Sequence, residues 1–398
     1  MFALYAARVD LRIDIALFAD TVIGVNQDQR QFDIDTVIRF VNPLQFPLST
    51  ILKKLKKMVA SDPKFEWFEH DTNPRTDAIN NGSGYNSSAT SLVVDNADRF
   101  TVNDIVMIVR TQEHVRVTAI DTGTNTLTVV RGYGETAAAA IVDNDDLLIL
   151  GGAYGENAGA ANQNLINPTT QYNLLEITRT AWSTSGSAMQ TSFYTGDQRQ
   201  NRRREKLKEH MVDIERKLLF GERKAASGTA PATTRGLLKY ITTNVYAAGG
   251  TLTQSEFDQS FLEPAMQYSS DAPAYGDAQK WLFCSPRLLS VLAGFAQTSV
   301  RIAPKDSAFG VAYRQYVSPH GVINLVGHPL LTTATVNGYG FLLDLGSVEY
   351  RYLKGRDVLY RPNIVQDGTD GVTDEYLTEC GLKLANEQQH GVITGVTG

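Results

Sequence analysis

The sequence predicts an α+β chain of more than one packed unit, with a small all-β domain inserted into a larger whole. Three observations carry this expectation. The chain has 398 residues, and a single hydrophobic core stops growing beyond about 250–300 residues. A cluster of short β-rich runs between residues 91 and 150 is flanked on both sides by glycine- and asparagine-rich stretches, the boundary signature of an insertion. A long helical pattern near residues 197–221 is followed first by alternating helix and strand and then by period-two runs, which together point to mixed architecture.

Taken in order, residues 1–42 scatter acids (Asp10, Asp14, Asp20, Asp28, Asp33, Asp35) among short apolar runs with no sustained period, and read as an extended arm. Ile51 to Val59 recurs at helical spacing and predicts a short amphipathic helix with a lysine-rich solvent face. Lys64–His70 alternates as a strand and ends in the loop Asn80-Asn81-Gly82-Ser83-Gly84. Five β-rich runs follow, at 91–94, 104–109, 113–120, 126–130 and 146–150, with a turn at 121–125, and predict a small antiparallel barrel or sandwich. Thr170–Thr180 reads as one strand returning antiparallel to Phe65–His70, which makes the flanks of the insertion neighbours.

The strongest helix signal starts near Asp197. Leu207, Met211, Ile214 and Leu218 fall on one stripe, Gly221 stands where a C-cap glycine belongs, and Asp213 with Lys217 makes an i,i+4 pair. Region 236–340 alternates helices (Glu256–Tyr268, Pro286–Phe295) with strands (Lys280–Cys284, Gly321–Val326), and Ser347–Leu353 and Tyr376–Leu384 return to period two as long strands.

Composition and motifs narrow the function classes. A hydrophobic fraction of 42% with 20% charged residues is that of an ordered protein, and a net charge of -6 provides no global field for coating nucleic acid. Cys284 and Cys380 stand far apart with no second thiol near either and read as reduced core residues. The first residues lack a basic stretch followed by an apolar run, and no segment approaches the roughly 20 apolar residues of a membrane span, so synthesis and retention in a cytoplasm are expected. Gly132-Tyr133-Gly134-Glu135-Thr136-Ala137 matches GxGxxA, but no βαβ unit surrounds it, and a glycine-rich turn is the reading. The six histidines (His70, His114, His210, His320, His328, His390) show no zinc spacing, and Asp143, Asp145 and Asp146 lack the glycine and terminal glutamate of a calcium loop. No catalytic, cofactor-binding or metal residue is therefore assigned. The densest positive patch, Arg199, Arg202, Arg203, Arg204, Lys206 and Lys208, could meet phosphates or acids of a neighbouring chain, with a solvated helix face as the simpler reading.

The order of elements, and the strings Arg202–Gly221, Thr234–Leu237, Leu282–Arg287 and Asn386–Gly391, resemble the major capsid proteins of tailed bacteriophages (Caudoviricetes) with the Hong Kong ninety-seven type fold. The resemblance covers about Asn42 to Val396, apart from 85–151. It implies an N-terminal arm and short helix (1–62), an extended loop (63–84 and 152–192), a peripheral domain with a spine helix (193–235 and 341–398) and an axial domain (236–340), with 85–151 as the inserted β-domain. It also implies a non-enzymatic subunit that assembles with itself, as hexamers and pentamers of an icosahedral head enclosing double-stranded DNA. Such a subunit is assembled in the host bacterial cytoplasm and resides in the virion, with scaffold, portal and decoration proteins as candidate partners, nonspecific proximity to packaged DNA, and no membrane. No lysine–asparagine crosslink is assigned. The alternatives are a β-rich tail or adhesin-type protein in which 85–151 binds a ligand, and a hydrolase whose active residues match no motif. The residues 85–151 hold nine acids against four arginines, net five negative, so the expected side for this domain is the outer one, away from DNA.

Overall fold

A computed structural model describes residues 46–397, apart from 71–72, 157–158, 160–166, 194–195, 269–277, 297–305, 309–310 and 366–367. The arm expected over 1–42 lies outside the described residues. The chain divides into two compact units, one taking in the residues up to Pro63 and from Leu174 onward, the other Lys64–Asn173.

The first unit holds two sheets. In one, the strands run in the order Lys57–Ala60, Val348–Leu353, Gly371–Leu384 and Glu176–Ser185, and Leu359–Arg361 also pairs with Gly371–Leu384. The 23-residue helix Gln198–Phe220 packs against Glu176–Ser185 and Gly371–Leu384. Asp197 caps its start, its carboxylate accepting the N–H of Arg199 and Gln200. Met211, Ile214 and Leu218 are buried and Leu207 is half-buried, but His210, Val212, Glu215 and Leu219 are buried too, so the apolar stripe widens to most of the circumference in the last three turns. Gly221 ends the helix without a left-handed turn, at φ -56°. Its need for glycine is close approach, since a Cβ there would stand 2.5 Å from the Lys217 carbonyl oxygen and 2.6 Å from that of Thr234.

The other sheet has seven strands, in the order Val245–Ala247, Gly391–Thr394, Gly340–Leu343, Gln279–Cys284, Gly321–Gly327, Val311–Ser318 and Asp306–Ala308. One of its faces is covered by the π-helical stretch Glu256–Leu262 with Glu263–Met266, and by the helix Pro286–Ala296. There Phe257, Phe261, Leu288 and Leu292 meet Leu282, Ile323 and Leu325 in one core.

The second unit contains a two-stranded pair, Lys64–Glu69 with Thr169–Leu174, and a six-stranded sheet. The six strands run Thr76–Ala78, Asp146–Gly152, Asp104–Ile108, Glu113–Asp121, Thr126–Val130 and Ser91–Val93, every pairing antiparallel. A bridge between Ile79 and Val94 joins the two outermost strands and closes the ring. Alternate residues point inward, giving a core of Leu92, Val106, Ile108, Val115, Val117, Leu127, Val129, Leu147 and Ile149, with Ile79, Phe100 and Ile141 at its ends.

Several expectations change. The helix near residue 51 ends at Leu55, and Lys57–Ala60 is instead a strand parallel to Val348–Leu353; a short apolar run fits either period, and the open sheet edge decides. Thr170–Thr180 breaks at Leu175. Only its first half pairs with Lys64–Glu69, while Glu176–Ser185 pairs antiparallel with Gly371–Cys380, which takes 176–185 out of the extended loop expected over 152–192. Residues 341–343 and Gly391–Thr394, expected within the peripheral domain, lie in strands of the seven-stranded sheet (Gly340–Leu343 and Gly391–Thr394), where their side chains are almost all buried. The barrel begins at Thr76, before the expected start at residue 85. Asp213 pairs with Arg216, and Lys217 turns to Glu176 at 2.7 Å.

Candidate functional site

The long helix carries the basic run, and its geometry decides what that run can do. Arg199 forms two bonds of 2.7 Å to Asp374, and Arg203 stacks 4.0 Å over the Tyr360 ring and donates to the Tyr376 hydroxyl. Both face the sheet. The Arg199 guanidinium holds the Asp374 carboxyl below the usual carboxylate range. On the outward face Arg202 pairs with Glu205, Lys206 with Glu209 and Arg216 with Asp213, each at i,i+3. Of the six positive residues of the run, Arg202 and Lys206 are thus paired with acids on the outward face and Arg199 and Arg203 turn to the sheet, so the six do not share one unneutralised surface. A cavity of about 510 Å³ lies beside the helix start, lined by Met189, Phe193, Asp197 and Arg199 among others. Its arginine is already committed to Asp374.

The most consequential charged group is one the sequence reading passed over. Glu215 is fully buried, and its carboxylate accepts the N–H of Leu48 at 2.7 Å, the N–H of Ser49 at 2.8 Å and Nε2 of His328 at 2.9 Å. The helix Pro47–Leu55 has no side-chain cap on Phe46. Its first residue, proline, has no N–H, and the Thr50 N–H reaches the Phe46 carbonyl, so Glu215 takes the two remaining orphan donors. His328 Nδ1 accepts the Leu330 N–H, which leaves the ring proton on Nε2, aimed at Glu215. One carboxylate thus joins the short helix, the long helix and the turn after the seven-stranded sheet's Gly321–Gly327. The signals were a glutamate one helical step beyond Met211 on the buried stripe, and a helix start lacking a capping side chain.

Other buried polar groups are likewise committed. Asp357 binds Lys53 at 3.2 Å and Lys57 at 2.6 Å and accepts the Tyr350 hydroxyl; burial pushes its carboxyl up, but these partners outweigh it and hold it low. Lys280, fully buried, donates to the carbonyls of Ala265, Tyr268 and Gln389, and burial lowers it to about 8. His210 lies between the hydroxyls of Thr180 and Thr378, and burial lowers it to about 4. Cys284 and Cys380 are buried free thiols, pushed up by burial to about 12 and about 11.

In the second unit the GxGxxA stretch is a turn held by an ion pair. Glu113 binds Arg131 through two 2.8 Å bonds and accepts the N–H of Gly132 and Ala139. Burial would raise its carboxyl, but these donors together hold it low. Asp145, one of the three clustered acids weighed against a calcium loop, is buried and bound by Arg110; Asp143 accepts the Asn81 N–H. Among the described residues no three His, Cys, Asp or Glu side chains are grouped to hold a metal ion, and no helix is long and apolar enough to cross a membrane.

A geometry of committed charges and exposed apolar points fits a subunit that works through its shape. The family described as SU10 major capsid protein matches residues 20–397. The chain belongs to that family. This makes it a major capsid protein of a phage, a subunit of the capsid shell and so of the virion. A major capsid protein of Pseudomonas phage PaMx41 is 25% identical over 337 residues, covering 78% of this chain and 79% of the relative. Among solved structures, that of Microbacterium phage Oxtober96 aligns at a TM-score of 0.48 with 10% identity, covering 92% of this chain and 96% of the other. That of Mycobacterium phage Cain aligns at 0.46 with 11% identity, covering 93% and 95%. Neither the family nor the Pseudomonas phage relative points to a tail or adhesin protein. In a capsid subunit the exposed large apolar side chains are the candidate contact points. They include Phe68 at 77% exposure in the second unit, and Met58, Val59 and Ile177 on the outer strands of the five-stranded sheet.

Proposed function

We propose that the subunit assembles with copies of itself into hexamers and pentamers that close an icosahedral head around double-stranded DNA, without an enzymatic role. The family match over residues 20–397 carries this reading. The interior is consistent with it, because the buried charges described above are spent on holding elements in place, whereas Phe68 and Ile177 remain uncovered. Stable interfaces begin near 1,000 Å² in total, and many modest contacts repeated by symmetry close a shell. Electron microscopy with light scattering of the purified protein tests it: rings or closed particles are expected, and monomers alone across salt and concentration would refute it.

Within this reading the helix Gln198–Phe220 is the spine helix of a Hong Kong ninety-seven type fold, and the barrel is a separately folding module on the outer side of the shell. Its own closed core and its surplus of acids support that side, since packaged DNA repels a negative module. Assembly in the host cytoplasm, and scaffold, portal and decoration partners, belong to the same proposal.

A further inference from the structure

The chain contains two Asn-Gly pairs, Asn81-Gly82 and Asn337-Gly338, and the structure sets them in opposite environments. Asn-Gly is the dipeptide in which a backbone nitrogen most easily attacks the preceding side-chain amide, because glycine has no Cβ to block the approach.

At Asn81 the parts of that reaction are assembled. Asn81 begins a tight turn in which the Gly84 N–H reaches the Asn81 carbonyl at 2.7 Å. The side-chain Oδ1 accepts the Ser83 N–H at 3.2 Å, and Nδ2 donates to the Gly84 carbonyl at 3.1 Å. A donor on Oδ1 polarises the amide and stabilises the oxyanion formed on attack, while the acceptor on Nδ2 holds the leaving nitrogen. The attacking group is unhindered: Gly82 is exposed, and a Cβ placed on it would meet nothing within 4 Å. Its N–H has no acceptor among the described residues.

At Asn337 the attacking nitrogen and the amide oxygen stand in the opposite setting. The Gly338 N–H, the nucleophile's proton, is bonded to the Ser285 hydroxyl at 3.0 Å in a buried setting. Gly338 sits at φ +120°, where a Cβ would lie 2.3 Å from the Val396 carbonyl oxygen, so the backbone there is enclosed. The Asn337 Oδ1 is buried with no donor to polarise it.

We propose that Asn81 is a site of spontaneous deamidation in the folded protein, and that Asn337 is protected from it. The Gly82 nitrogen bonds to Asn81 Cγ, the Cγ–Nδ2 bond breaks, and ammonia leaves with the proton from the Gly82 N–H. Water then opens the cyclic imide at either carbonyl, leaving an aspartyl or an isoaspartyl residue. The new carboxylate arises beside Asp143, which already accepts the Asn81 N–H at 2.8 Å, next to the Ile79–Val94 bridge that closes the barrel.

The test is to age the full-length protein in mildly alkaline buffer and follow both asparagines by peptide mapping with mass spectrometry and enzymatic isoaspartate labelling. Asn81 should convert faster than Asn337 by more than an order of magnitude in the folded protein, and the two rates should converge in denaturant. Gly82→Ala, for which the structure has room, should slow conversion at Asn81 while leaving the melting curve unchanged. Equal rates at the two sites in the folded state, or an Asn81 rate insensitive to Gly82→Ala, would overturn the proposal.

Discussion

Removing the Glu215 carboxylate should loosen the first unit more than its single position suggests. Glu215→Ala leaves the N–H groups of Leu48 and Ser49 and the Nε2–H of His328 without their acceptor, all in a fully buried setting. Hydrogen bonds to a charged partner contribute about 1.5–3 kcal/mol each, which sums to roughly 4.5–9 kcal/mol for three. Water entering the space left by the side chain re-satisfies part of this, so the expected loss is about 3–5 kcal/mol, the range found when one side of a buried charged contact is removed. Glu215→Gln keeps the shape but turns an amide NH₂ toward one of the donors, and should lose less. Urea unfolding of unassembled subunit measures both, and hydrogen exchange should show the helix Pro47–Leu55 opening first. A double-mutant cycle with His328→Ala separates the imidazole from the two backbone donors. A loss under about 1 kcal/mol for Glu215→Ala would refute the account, because that is the effect of a surface change.

Four further outcomes are expected. Burial lowers His210 and His390 to about 4 from an ordinary 6.5, so the unfolded chain takes up protons first on acidification. Stability from these groups is complete above pH 6.5 and is lost as pH falls toward 4; a flat urea midpoint across that window would contradict it. Arg131→Ala leaves Glu113 as an uncompensated buried charge and should destabilise the barrel by about 3–5 kcal/mol, seen as faster hydrogen exchange in 76–152 with the first unit unchanged. Excising 85–151 should expose Ile79 and strand Thr76–Ala78 without partners and cause aggregation, whereas excising 76–152 with a short Gly-Ser bridge should leave a folded, assembling chain; the reverse result would show that the barrel boundary is misplaced. Leu218→Asp places an unpaired charge at a fully buried helix position and should lose several kcal/mol; unchanged melting and assembly would count against the helix packing.

Local pattern reached far into this fold, and its limits are physical. Five of the six barrel strands were legible because each alternates and is bracketed by turn residues, whereas Thr76–Ala78 is too short to show a period; the long helix was legible because Asp197 and the Met211, Ile214 and Leu218 spacing mark its start and face. Pairing was less accessible. Phe341-Leu342-Leu343 and Val392-Ile393 are continuous apolar runs, and nothing in such a run says which of two sheets receives it. Lys57–Ala60 takes its strand conformation from the edge of Val348–Leu353, far along the chain. The candidate charged surface failed for a related reason. A basic run in sequence becomes a patch only if its residues share a helix face, and here Arg199 and Arg203 turn toward Asp374 and Tyr360 while Arg202 and Lys206 pair with Glu205 and Glu209.

The bridge between Ile79 and Val94 has a meaning for a protein that lives among its own copies. In a shell every subunit holds identical neighbours at a fixed short distance, so an open strand end would be offered to its twin at an effective concentration far above any reached in solution. A hydrogen-bonded row left bare under those conditions templates unwanted sheet growth from subunit to subunit. By joining the ends of Thr76–Ala78 and Ser91–Val93 through that bridge, the barrel offers such a neighbour side chains there rather than an open row of backbone groups.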